Sequence, residues 1–499
     1  MPDSADDAPD QRLHPWSWLF ELQQHLQQFL LPLVALLFFG SRRQDGEWPF
    51  HLVTLAVLLA MTGSALLQYL TYRYRIGSDA LTVRSGILER TRREIPFARI
   101  HNVVVHQNLL HRLFGVAELR LESAAGDKPE AQMRVLRLAQ ALELERLIRQ
   151  RGESAPAAVD SGPAAPAPLL ELPLPELVRL GLISNRALVV AAAACGAIWQ
   201  MFPRDVAEEF VRDQGRQAVG YASQLQLGAV PLAGTVALVL VAGLLLMALM
   251  SIALAIVQYH GFRLSEAERR LTVERGLLSR SRSSVAQRRI QAWTLCEGML
   301  HRLFRRRQLR VDIASGGGQE QQGRALKELV PVAAPAACDA LLQHLLPAVQ
   351  WPPARWQAVS MRGWWRLCLP ALVTVAAVTA LGCRQFGAWG LLPLLWLPWS
   401  ALHAHRQVAR MGYSIDSRRV AIRGGWWSRW WRVAELDKLQ ALRLDRSPLD
   451  HCFGTATLTL DTAGASGSPP LRLHFLEAAR ARELMEQLGQ EMARRRLRW

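Results

Sequence analysis

A chain of 499 residues, half of them hydrophobic, with a formal net charge of +17, is too long for one core and too apolar to stay disordered. The charge is almost all arginine, since lysine occurs only at Lys128, Lys327 and Lys438, and the six cysteines show no C-x-x-C pair. A disulfide framework or structural zinc site is therefore not expected, and arginines spread over the whole chain without a recognition motif argue against nucleic acid as a partner.

The acidic start, Met1–Asp10, has no basic n-region and no small-residue cleavage site, so no cleaved signal is expected. Apolar runs then come in pairs: Leu26–Phe39 with Leu52–Tyr72, Arg186–Phe202 with Leu227–Tyr259, and Trp364–Cys383 with Phe386–Leu402. A bilayer core takes about 20 apolar residues as helix. The second and fifth runs match that length, and the fourth exceeds it. Gln23, Gln24, Gln27 and Gln28 interrupt the approach to the first, which leaves an interfacial helix as the alternative there. Six transmembrane helices in three hairpins are the prediction. Arg73, Arg75, Arg84, Arg263, Arg269, Arg270, Arg406 and Arg410 crowd one end of the hairpins, whereas the intervening loops are poor in net positive charge. The positive-inside rule then puts the segment after each pair, and both termini, in the cytoplasm of a multi-pass inner-membrane protein.

Each of those segments repeats one pattern. Gly86 to Ile100, Gly276 to Ile290 and Gly425 to Leu439 are each 14 residues, and Gly86 to Phe114, Gly276 to Phe304 and Gly425 to Phe453 are each 28. Two spacings held across three copies are an internal repeat, and periods of 190 and 149 residues are too long for a solenoid, so each copy is a module. Alternating apolar residues broken by Gly, Ser and Asp predict antiparallel strands, closed by a helix over Ala139–Gln150, Ala333–Leu346 and Leu476–Arg496. The expected layout is a cytoplasmic tail over 1–25, hairpins over 26–72, 184–259 and 364–403, and modules over 73–150, 260–349 and 404–499. Linkers fill 151–183 and 350–363, the first reading as a flexible tether where it is rich in Gly, Ser, Ala and Pro.

The repeat resembles the module of bacterial pleckstrin-homology (PH) domain membrane proteins of the YdbS/YdbT type, in its longer, three-module form. The resemblance rests on Gly86, Ile95-Pro96, Ile100, Leu110, Arg112 and Phe114-Gly115 in the first copy. The second copy has Gly276, Ile290, Leu300, Arg302 and Phe304, with Val285-Ala286 in place of Ile-Pro and Arg305 in place of glycine. The third keeps Gly425 and Phe453-Gly454, with Val433-Ala434 and Leu439. It implies an α+β membrane protein whose hairpins are each followed by a small seven-stranded, partly open antiparallel barrel or sandwich with a C-terminal helix. It also implies no enzymatic activity and no cofactor, and a smaller one-module relative as hetero-partner, with self-association as the alternative.

Residue chemistry agrees on the absence of catalysis: there is no phosphate loop, G-x-S-x-G or H-E-x-x-H. Gly316–Gly318 reads as a hairpin turn, and His403 with His405 as an interfacial polar pair rather than a metal site. His111, His301 and His451, at or next to one repeat position, read as satisfied histidines at the mouth of a turn. The binding candidates are basic: Arg90, Arg92, Arg93 and Arg99 in the first copy, and Arg280, Arg282, Arg288, Arg289, Arg302 and Arg305 in the second. The third copy offers Trp426, Trp427, Trp430 and Trp431 beside Arg429 and Arg432. Exposed tryptophan beside arginine suits a bilayer interface, so two of the four rings are expected to point outward into headgroups. The function expected is a non-enzymatic membrane protein whose modules bind anionic headgroups, protein partners or both, in envelope maintenance or stress and antimicrobial resistance. The alternative is a six-helix exporter of lipid or small molecules with regulatory modules.

Overall fold

A computed structural model describes residues 11–22 in part, scattered positions between 56 and 71, 72–123 apart from 87–89 and 98–99, and 131–152. It further describes 168–187 apart from 185, single positions between 189 and 213, then 229–313, 328–347, 350–462 and 470–494.

Among the described residues each copy folds as seven strands, a short helix after the fifth strand, and a closing helix. In the first, β1 (Gln11–Arg12), β2 (Arg73–Ile76), β3 (Ala80–Ser85) and β4 (Thr91–Pro96) form one sheet, and β5 (Ile100–Gln107), β6 (Val116–Ser123) and β7 (Ala131–Arg137) a second meander. The second copy has β8 (Pro168–Glu171), β9 (Arg263–Ala267), β10 (Arg270–Arg275) and β11 (Arg280–Ala286), then β12 (Ile290–Glu297), β13 (Arg307–Ile313) and β14 (Glu328–Ala333). The third has β15 (Gln357–Ala358), β16 (Gly412–Ile415), β17 (Arg419–Gly424) and β18 (Arg429–Glu435), then β19 (Leu439–Asp445), β20 (Thr455–Thr462) and β21 (Arg472–Glu477). Closing helices Leu138–Gly152, Pro335–Leu345 and Ala478–Arg494 put Ala141, Leu144 and Ile148, then Cys338, Leu341 and Leu345, then Ala481, Leu484 and Leu488 onto the cores at helical spacing.

The spacings in the sequence have physical causes. Gly86, Gly276 and Gly425 all have positive φ (100°, 113° and 79°) and turn the chain into β4, β11 and β18. A Cβ on Gly276 would sit 1.9 Å from the Ser279 carbonyl oxygen, and one on Gly425 1.8 Å from that of Ser428. Fourteen residues later Ile100, Ile290 and Leu439 begin β5, β12 and β19. At the end of the short helix that follows, Gly115, Arg305 and Gly454 are all left-handed (φ 64°, 49° and 65°), so Arg305 adopts a conformation that costs a side chain about 1–2 kcal/mol.

Two features depart from the expected layout. The stretches read as linkers contribute to the modules: β8 pairs with β9 and β15 with β16, and helix Leu174–Ile183 buries Leu177, Leu180 and Ile183 in the core of the second module. Arg306 of that module clasps Glu176 on the helix with two hydrogen bonds of 2.7 and 2.8 Å. Strands of two to four residues carry too little periodicity to be seen in sequence. The second departure is that the modules are not separate sandwiches. Within a module the third and fourth core strands (β4 and β5, β11 and β12, β18 and β19) part, at the turns Gln287–Arg289 and Leu436–Lys438 in the second and third copies, and in the first two modules the strand of the next module fills the gap. The result is two seven-stranded sheets, β7-β6-β5-β11-β10-β9-β8 and β14-β13-β12-β18-β17-β16-β15, each shared by two modules. The second core accordingly includes Ala421 and Val433 of the third module.

Among the described residues two helical stretches are long and apolar enough to cross a membrane, within Ala237–Tyr259 and Met361–Arg410. The latter doubles back: helix Leu369–Phe386 ends at Gly387 (φ 59°), and the returning 3-10 turn Gly387–Leu395 lies against it before helix Trp396–Arg410. Gly390 permits that approach, since a Cβ there would sit 2.1 Å from the Cys383 nitrogen. Most of the expected first, second and third spans lies outside the described residues.

Candidate functional site

The basic residues singled out in the sequence do not converge on one surface. Arg92 and Arg93 are exposed on β4, Arg90 is exposed just before it, and Arg99 lies outside the described residues. Arg280 and Arg282 stand where the first and second modules meet, and Arg282 faces Glu274 at 3.3 Å and Glu145 of the first module's helix at 3.9 Å. Arg288 is exposed and its carbonyl accepts a hydrogen bond from Lys438 of the third module. Arg289 is half-buried, and burial pushes its guanidinium pKa down. Arg302 is half-buried, and Arg305 is exposed at the left-handed position.

The tryptophans divide. Trp430 and Trp431 lie on β18 against β12, opposite Cys296 and Leu295, and the Arg307 guanidinium stacks 4.7 Å from the Trp431 ring centroid. These two are junction residues. Arg432 between the modules is fully buried, where it binds Asp312 and the Thr294 hydroxyl of the second module, so it is no part of a surface. Trp426 and Trp427 instead pack against the first two turns of the returning helix Trp396–Arg410. Trp399 lies 6.0 and 5.7 Å from them, ring to ring, and His403 lies 5.7 Å from Trp426.

A cluster that the sequence alone does not assemble lies at the other end of that helix. Arg410, the last residue of the returning helix, feels the charges of Arg429, Arg423 and Arg302, with Glu297 the one acid opposing them. The Nε atoms of Arg302, Arg423 and Arg429 are buried and find no partner among the described residues. Glu297 is engaged elsewhere, 3.3 Å from Arg307. The first junction holds its counterpart, a cavity of about 480 Å³ lined by Arg112, Arg275, Arg280, Arg282, His260 and Glu274. Arg112 and Arg302 share one repeat position, as do Arg280 and Arg429. That coincidence was the available signal, but it acquires meaning only once the modules are known to abut.

The recurring histidines have a local explanation. Asn108, Gly298 and Ser447 precede the short helix, and three residues on stand His111, His301 and Asp450. His111 Nδ1 accepts from the Asn108 amide at 3.4 Å, and in the third copy Asp450 takes that capping role while His451 is exposed. Asp450 also binds Thr455 and Arg366, tying the apolar hairpin to its module. Burial alone would raise its pKa, but the bonds from Thr455, Ser447 and Arg366 hold it well below the ordinary carboxylate range. Burial, with Asp339 alongside, pushes the Cys338 thiol up to about 12, which makes it inert.

The bacterial PH domain model matches residues 28–152, 223–346 and 368–492, one match per repeat and most of the chain in all. The chain belongs to the bacterial PH domain family. It is similar to the UPF0699 transmembrane protein YdbT of Bacillus subtilis (strain 168), with 20% identity over 441 residues that cover 87% of this chain and 89% of the relative. No solved structure matches. This bacterial PH protein thus carries three PH-like β-sandwich modules, and among the described residues no group of three His, Cys, Asp or Glu is placed to hold a metal ion. Its exposed apolar helices, together with the description of its relative as transmembrane, support membrane association.

Proposed function

We propose that the protein is a membrane-anchored scaffold that holds three PH-like modules against the inner face of the bacterial cell membrane, where they bind anionic phospholipid headgroups and protein partners. The observation that carries this reading is that each apolar insertion begins and ends in one sheet. β1 pairs with β2 across residues 13–72, β8 with β9 across 172–262, and β15 with β16 across 359–411. The pairs fall on equivalent residues: Gln11 with Tyr74, Leu170 with Leu264, and Gln357 with Tyr413. Neighbouring strands lie about 4.8 Å apart, so a chain that enters the bilayer at one must return beside the other. An even number of crossings follows for every insertion, which supports three hairpins with all modules on one face. The arginine excess on that side supports the cytoplasm.

Headgroup binding draws support from the second junction. Arg410, Arg423, Arg429 and Arg302 meet at the end of the returning helix, whose first turn sets Trp399 against Trp426 and Trp427. Amphipathic rings favour the headgroup layer, and each arginine near an anionic surface contributes about 1 kcal/mol. The test is mass spectrometry of lipid retained after mild detergent extraction of the full chain. Wild type should keep anionic phospholipid and an Arg410→Gln/Arg423→Gln/Arg429→Gln variant should lose it; equal retention would refute the assignment. For topology, a membrane-impermeant maleimide should reach an Ala388→Cys variant in intact cells and Cys452 only after permeabilisation.

A further inference from the structure

Both internal junctions obey one rule. β5 lies beside β11 with Val103 opposite Ser284 and Gln107 opposite Arg280. β12 lies beside β18 with Trp293 opposite Val433 and Glu297 opposite Arg429. Shifted by the repeat periods of 190 and 149 residues, the two sets of pairs coincide residue for residue. The series leaves two strands bare, β4 at the start and β19 at the end, each the outermost strand of its sheet. Side chains record the difference. Residues 290–295 of β12 are all buried, whereas Gln440, Ala441 and Arg443 of β19 are exposed, and so are Thr91, Arg92, Arg93 and Glu94 of β4.

At every internal junction the preceding module supplies acid to the arginines of the incoming strand. Arg429 stands opposite Glu297. Arg282 is reached by Glu145 from the preceding closing helix. Arg432 binds Asp312 on the preceding module's next strand. The equivalents of these three positions in the first module are Arg90, just before β4, and Arg92 and Arg93 on it, and among the described residues none of the three has an ion-pair partner. A second copy of the chain would satisfy them only in part, since Asp461 stands where Asp312 does but Arg446 replaces Glu297 and Met485 replaces Glu145. In the common register β19 would set Arg443 against Arg93 and Arg446 against Arg90, and like charges directly opposite are destabilising.

We propose that β4 is an assembly edge: it takes the fourth core strand of a PH-like module on a different protein, one that carries carboxylates where Glu297, Asp312 and Glu145 stand in this chain. The mode is strand addition, with main-chain hydrogen bonds providing the affinity and the carboxylates the choice of partner. This inference rests on the module fold and its sheets, not on headgroup binding, and uses residues separate from the Arg410 cluster.

The edge can be tested with the chain itself. Wild type in detergent should remain monomeric, because its two ends repel. A variant with Arg443→Glu and Arg446→Glu presents acid opposite Arg93 and Arg90 and should associate end to end at least tenfold more tightly, as read by analytical ultracentrifugation. Adding Arg90→Glu and Arg93→Glu to that variant should abolish the gain. A double variant that stays monomeric, or an association indifferent to Arg90 and Arg93, would overturn the proposal. In cells, a photo-crosslinking residue at position 92 should trap a second protein with a PH-like module; trapping only lipid, or only another copy of this chain, would refute the choice of partner.

Discussion

The two internal junctions share a register and differ in how side chains fill the space between the strands. Between the first and second modules the strand that enters is β11, whose Ser283 and Ser284 are buried with hydroxyls that find no partner among the described residues. They face Val104 and Val103, and Ser283 and Val104 line a cavity of about 330 Å³. Between the second and third modules the corresponding residues on β18 are Arg432 and Val433, flanked by Trp431. Here the space is filled: Arg432 binds Asp312, Trp431 stacks under Arg307, and Val433 joins the second module's core. Backbone geometry repeated through the three copies sets the register, and side chains set the strength. The second junction is expected to open last and the first to open early.

The largest effect should come from breaking the stronger junction. Arg432→Ala leaves Asp312 without its partner in a closed interface, and the cost is expected near 3–5 kcal/mol, read as a lowered denaturation midpoint of the full chain in detergent. Trp431→Ala removes a half-buried ring and the seat of Arg307; a loss of about 2–3 kcal/mol is expected from the same measurement. Asp450→Asn touches neither junction and serves as a control, weakening the tie between hairpin and third module by about 1–3 kcal/mol at neutral pH. Its pKa is depressed in the fold, so its contribution is present above the ordinary carboxylate value and fades as pH falls below that value. The gap in Tm between wild type and Asp450→Asn should therefore narrow on acidification from pH 7 to pH 3.

The weaker junction can be sharpened instead. Ser284→Val copies the residue at the equivalent place in the third module, removes an unpartnered buried hydroxyl and adds apolar volume. A gain of about 1 kcal/mol is expected, visible as greater hydrogen-exchange protection of β5 and β11 without change at β12 and β18. The smallest effect concerns neither strand. Arg305→Gly relieves a left-handed side chain and should raise stability by somewhat less than 1 kcal/mol, after the entropy that glycine restores to the unfolded chain.

Residues whose role is local are legible in the sequence. Gly276 and Gly425 are marked by spacing because only glycine fits a positive φ with a carbonyl oxygen at the Cβ position. Phe114, Phe304 and Phe453 are marked because they close the same short helix. The helices over the cores follow from their apolar period. Other expectations fail to capture how the modules meet. Trp430 and Trp431 are candidates for the membrane surface by composition and Arg432 their exposed neighbour, yet all three belong to the junction with the second module. Alternation in a strand shows that one face is buried, not which sheet edge lies beside it.

By itself the sequence determined that there are three copies, where each turns, and which apolar segments separate them. These depend on φ preferences and on side-chain periodicity within a few residues. Only the tertiary structure decided that β8 and β15 belong to the modules across their apolar insertions, that neighbouring modules share sheets, and that Arg302, Arg410, Arg423 and Arg429 meet. Each of these joins residues that are distant in the chain. Backbone N–H and C=O groups are alike at every residue, so the choice of strand partner is made by the packing of whole modules.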